Sequence, residues 1–128
     1  MANPIILAYN LDMETENQMK LLCEKLGFAY RAVTPELYAL PIGALAGIPI
    51  SGKPAVSLDM GFSEPMLVMC HLLNPQLDAF LKVMRTSDIP RIDLKAILTP
   101  SNVTWNSRQL RDELAREHES VRATARKG

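Results

Sequence analysis

The chain has 128 residues, 48% hydrophobic and 22% charged, with a formal net charge of zero. That length suits one domain with a real core, and the neutral balance argues against a dedicated nucleic-acid binder, which needs a basic surface to displace counterions from phosphates. Aromatics make up only 5% while Met numbers 7, so core volume must come from Leu, Ile, Val and the adaptable Met.

At the start, Met1-Ala2-Asn3-Pro4 lacks the basic region of a secretory peptide. Ile5 to Tyr9 is a short apolar run of strand type, and Asp12 stands where it can cap a helix. Met19, Leu22, Cys23 and Leu26 follow helical spacing, and Gly27 is placed to end the helix. Phe28 to Val33 predicts a second strand, closed by Thr34-Pro35.

Residues 36–65 form a connector. Leu37 to Leu40 and Ile42 to Gly47 predict a short helix or turn pair that covers part of the core. Pro41, Gly43, Gly47 and Pro49 break this apolar stretch well short of the ~20 residues of a membrane span. Ile48 to Phe62 predicts an excursion or irregular hairpin around Ser51-Gly52-Lys53. Gly52-Lys53 lacks the glycine spacing and following Ser/Thr of a phosphate loop, so that function is rejected.

The pattern then repeats. Met66 to Cys70 predicts a buried strand, Asn74 a cap with Pro75 at the first helical position, and Leu77, Phe80, Leu81 and Met84 the buried stripe. Ile89-Pro90 ends the segment, Leu94 to Leu98 predicts the next strand, and Thr99-Pro100 closes it. A last helix follows. Asn106 and Gln109 have the spacing of a capping box, and Trp105 and Leu110 that of a hydrophobic staple. This helix is expected to reach about Val121, leaving 122–128 as a basic flexible tail.

Two strand–helix–strand units (4–35 and, with the last helix, 66–121) predict one α/β domain over 1–121. The expected arrangement is an α+β, ferredoxin-like two-layer sandwich: the units interleave, the sheet is largely antiparallel, and the helices share one face. The alternative is a small open parallel sheet. Residues 1–64 carry four Lys/Arg against seven Asp/Glu, and residues 65–128 ten against seven. The surplus cations read as a solvated helix face, or else as a site for an acidic partner or a second copy.

Leu94-Lys95-Ala96-Ile97-Leu98-Thr99-Pro100, Asn102, Trp105, Leu110, Glu113-Leu114 and Glu117-His118 together resemble a bacterial family, Domain of Unknown Function 3783. The resemblance covers about Pro65 to His118. The first half, including Ile42 to Gly47, resembles more loosely the region preceding that domain in longer relatives. Those relatives often run acidic in the connector, where this chain has Pro, Gly and Lys53. The resemblance implies a fold and no particular activity.

Candidate chemistry is sparse. Cys70-His71 ends the third strand, a position where α/β folds place binding groups. Cys23 and His118 add two more metal-ligating types, but without paired spacing, so no metal and no cofactor is expected. His118, near the expected helix end, is explained as a cation at a helix C-terminus. No catalytic residues are assigned. The candidate ligand-binding residues are His71, Asn102, Thr104 and Trp105, with the turn Ser101 to Thr104 the least explained by capping. The expected function is a non-catalytic cytoplasmic module that binds a small molecule or protein partner and self-associates as a homodimer, away from membranes. The alternative is a small enzyme or metal protein using Cys70, His71 and the Asn102–Trp105 turn.

Overall fold

The computed structural model describes residues 3–48 and 61–127, with side chains as far as His118. In chain order the elements are β1 (Ile5–Tyr9), α1 (Met13–Leu26), β2 (Ala29–Ala32), a 3-10 turn (Pro35–Leu37), α2 (Ile42–Leu45), β3 (Met66–Cys70), α3 (Asn74–Thr86), β4 (Leu94–Ile97) and α4 (Ser107–Lys127). The expected excursion around Ser51-Gly52-Lys53 falls largely on 49–60, outside the described residues.

One four-stranded sheet runs β2-β1-β3-β4. The α/β class, the two strand–helix–strand units and the buried central pair are as expected. β3 is buried along its whole length and β1 from Ile6 onward, whereas β2 is largely exposed. The interleaved, largely antiparallel order is corrected. β1 pairs antiparallel with β3, but each outer strand lies parallel beside the first strand of its own unit. Exchanging β2 and β4 would leave the central pair just as buried, so hydrophobic patterning does not distinguish the two orders.

Alternation along the central strands sends side chains to two cores. Ile6, Ala8, Leu67 and Met69 pack with Met19, Leu22 and Cys23 of α1 and Phe80 of α3. Leu7, Tyr9, Met66, Val68 and Cys70 pack with Ile42 and Leu45 of α2 and Leu110 of α4. Helices therefore lie on both faces, α1 and α3 on one, α2 and α4 on the other. The predicted cover from the connector is thus present.

Local signals explain the helix boundaries. The Asp12 carboxylate accepts from Thr15 N at 2.7 Å, and Gly27, at φ 78°, ends α1. Phe28 N closes that end by donating to Cys23 O at 2.8 Å. In the second unit the cap is Leu73 rather than Asn74. Its backbone N–H donates to Gln76 Oε1 at 2.7 Å, which moves Pro75 to the second helical position, where a missing N–H is still harmless. Asn106 and Gln109 form the reciprocal box, with bonds of 2.8 and 2.9 Å. α4 continues to Lys127, beyond the expected stop near Val121. From Glu119 to Lys127 the sequence contains neither Gly nor Pro and is rich in Ala and Arg, which favour helix.

Candidate ligand groove

The four residues singled out from sequence sit around α2, and their polar groups are largely occupied. Asn102 is a buried brace for the turn after β4. Its Oδ1 accepts from Thr99 N at 2.9 Å and its Nδ2 donates to Ile97 O at 3.0 Å. Trp105 is half-buried against the same core as Leu110, as a staple requires. Its carbonyl accepts from Ile42 N at 2.7 Å, and the Val103 carbonyl accepts from Gly43 N at 2.9 Å. Thr104 is exposed.

At the other end of α2, Arg31 Nη1 donates to Leu45 O at 3.1 Å, and His71 Nε2 lies 3.2 Å from Ala46 O. A four-residue helix is too short to be stable alone. Here it is held at its first N–H groups by the 103–105 turn and at its last carbonyls by Arg31 and His71. Backbone and side chains thus connect all but Thr104 into one scaffold.

Cys70 and His71 do not form a reactive pair. Burial pushes the Cys70 thiol up to about 12 and the Cys23 thiol up to about 11, so neither supplies thiolate near neutrality. Among the described residues there is no group of three or more His, Cys, Asp and Glu able to hold a metal. His118 is not at a helix end, because α4 runs nine residues further. Its Nε2 instead lies 3.9 Å from Asp93 Oδ2, beside the start of β4.

Sequence reasoning missed a polar and aromatic network beneath α4. The hydroxyls of Tyr9 and Ser107, both fully buried, are 2.8 Å apart. Tyr9 and Tyr38 ring centroids lie 5.6 Å apart, and Phe62 stacks on Tyr38 at 4.7 Å. Asn10, at φ 59°, donates from Nδ2 to Phe62 O and Glu64 O at 2.9 and 3.1 Å. Arg111 pairs with both Glu64 and Asp112. Burial drives the Tyr9 phenol upward, so it stays protonated as a hydrogen-bonding anchor. The signal was a Tyr at the end of an apolar strand, whose hydroxyl needs a partner once buried.

Sequence reasoning also missed a groove of about 740 Å³ between α3, the following loop and β4. Leu81, Met84, Ile89 and Ile92 give it an apolar lining, and Lys82, Arg85, Arg91 and Lys95 bring four cations. Asp78 is the single carboxylate among the described residues lining it. Arg91 is paired with Asp93 at 2.8 Å, and Lys95 Nζ donates to Ile92 O. Lys82 and Arg85 have no carboxylate partner among the described residues. Burial holds the Lys95 ammonium below its ordinary value, as expected beside an apolar wall. The available signal was four cations within residues 82–95, spread over a helix, a loop and a strand.

Among the described residues no helix is long and apolar enough to cross a membrane. No curated protein and no solved structure matches the chain. Residues 65–121 match the family model described as Domain of unknown function (DUF3783), a span that contains β3, α3, the whole groove and the start of α4. The groove-bearing part of the chain, residues 65–121, is thus similar to the DUF3783 family.

Proposed function

We propose that the protein is a non-catalytic cytoplasmic module that binds a small anionic molecule with an apolar body in the α3–β4 groove. The observation that carries this is the convergence of four cations on an apolar-lined cavity, with Lys82 and Arg85 left without carboxylate partners among the described residues. Small-molecule sites combine mostly apolar walls with a few placed polar groups. Guanidinium and ammonium groups supply the charge complement for carboxylate or phosphate. The enzyme reading through Cys70, His71 and the Asn102–Trp105 turn has less support, because the thiol is buried and Asn102 is spent on its own turn.

Thermal-shift and calorimetric titration with alkanoates and aryl phosphates test the groove. Binding is expected to weaken roughly tenfold or more in Lys82→Ala/Arg85→Ala, the size of a lost charge-assisted bond. Absence of binding by every such anion, or binding indifferent to these substitutions, would sink the reading.

Self-association is a second reading, favoured by the outer position of β2, which is short, largely exposed and paired on one side only. Light scattering at rising concentration checks it. A strict monomer removes it.

A further inference from the structure

The cation-lined groove runs beside a strand with an open edge. β4 ends the sheet order, and among the described residues it pairs with β3 alone. Leu98 N donates to Met69 O at 3.0 Å, and alternation along a parallel ladder turns the Ala96 backbone to β3 as well. The backbone groups of Lys95 and Ile97 therefore face outward. Asn102 Nδ2 already takes Ile97 O, which leaves the Lys95 N–H and C=O and the Ile97 N–H open among the described residues. Edge strands are commonly blunted by an outward lysine. Lys95 instead folds its ammonium back onto Ile92 O and lines the groove, and Ile97 stays exposed.

We propose that this edge and the groove together bind the C-terminal end of an extended peptide, which joins the four-stranded sheet antiparallel to β4. This rests on the groove being an anion site and gives that anion a peptide backbone. Charge sets the direction. Lys82 and Arg85 stand near the end of α3 and Arg91 just before β4, so the cations gather at the start of β4, while Asp78 lies further back along α3. A terminal carboxylate at that end requires a chain running opposite to β4. With the last residue facing Lys95, its N–H donates to Lys95 O and its carboxylate accepts from Lys95 N. Its side chain then lies on the side of the sheet that Lys95 occupies, against Leu81, Met84, Ile89 and Ile92. The residue two places earlier accepts from Ile97 N. An apolar last residue with a free carboxylate is thus the group recognised.

Calorimetry on the full chain tests this with acetyl-Ala-Ala-Leu and with 4-methylpentanoate, an anion of the same apolar body but no backbone. The peptide should bind roughly tenfold more tightly than the alkanoate, through its added hydrogen bonds. Converting its carboxylate to the amide should cost tenfold or more. Methylating the leucine nitrogen should erase the peptide's advantage, whereas methylating the middle nitrogen, which points away from β4, should leave it. Ile97→Pro removes an outward N–H and no ladder bond, so it should weaken the peptide several-fold and leave the alkanoate unchanged. If that variant does not fold, the methylated peptides still decide. A peptide that binds no better than the alkanoate overturns the edge site and leaves the anion groove standing. Binding by neither overturns both. An advantage that survives methylation of the leucine nitrogen, or equal binding of acid and amide, also overturns the assignment.

Discussion

The two strand–helix–strand units share one plan and differ in how each helix returns to the sheet. In the first, two residues, Gly27 and Phe28, separate α1 from β2. Gly27 takes the left-handed turn, and Phe28 goes straight into the core. In the second, residues 87–93 separate α3 from β4. Ser87 Oγ ties that passage by donating to Met84 O at 3.1 Å and accepting from Ile89 N at 3.3 Å. Ile89 and Ile92 pin it to the core, while Pro90 and Arg91 stay outside. A tight return closes the layer, and a longer one, pinned at two points, opens a groove. The candidate site is therefore a product of loop length on a repeated scaffold.

The largest effect is expected where the units share a core. Phe80 of α3 packs among Met19, Leu22 and Cys23 of α1, so Phe80→Ala should cost about 3–5 kcal/mol. Denaturant unfolding should remain a single transition, since both units lose the same packing. Two resolved transitions would show that the units are independent. Next comes the tight return itself. Nothing lies within 4 Å of a Cβ added at Gly27, so Gly27→Ala should cost about 1–2 kcal/mol through backbone conformation alone. By contrast Ser87→Ala should change stability little, by about 1 kcal/mol or less, yet weaken anion binding in the groove. Equal stability losses at the two returns would break the comparison.

Capping gives the smallest contrast. Asn74→Ala should stay within about 0.5 kcal/mol, because the Asn74 side chain is not the α3 cap. Asp12, the true cap of α1, is expected to add a pH dependence. Its backbone bond to Thr15 holds the carboxyl below the usual 3.8. The stabilisation is thus present above the ordinary carboxylate range and lost as pH falls through the folded value. Acid unfolding of Asp12→Asn, followed by circular dichroism, should lack that component. An unchanged acid transition would remove the carboxylate from the account.

Much of this fold was legible because each element carried its own signal. Asn106 and Gln109 cap by a local exchange of bonds, and Met66 to Cys70 shows its burial on both faces by continuous apolarity. Lateral strand order was not legible, since pairing joins residues far apart and leaves burial unchanged on exchange. The groove was hidden for a related reason. Lys82, Arg85, Arg91 and Lys95 look like separate solvated cations until the passage after α3 gathers them. Asn102 misled in the opposite direction, because an unexplained polar residue in a turn looked like a ligand group. Its amide is instead consumed by Thr99 and Ile97.

The placement of the two cysteines has a practical consequence. Cys23 lies in the core beneath α1 and α3, and Cys70 in the core beneath α2 and α4. Both thiols are free and shielded, so a thiol reagent reaches either one only after its own side of the sheet has opened. The chain carries two internal clocks, one for each face. Comparing their labelling rates would show whether the helices on opposite faces come away together or in turn.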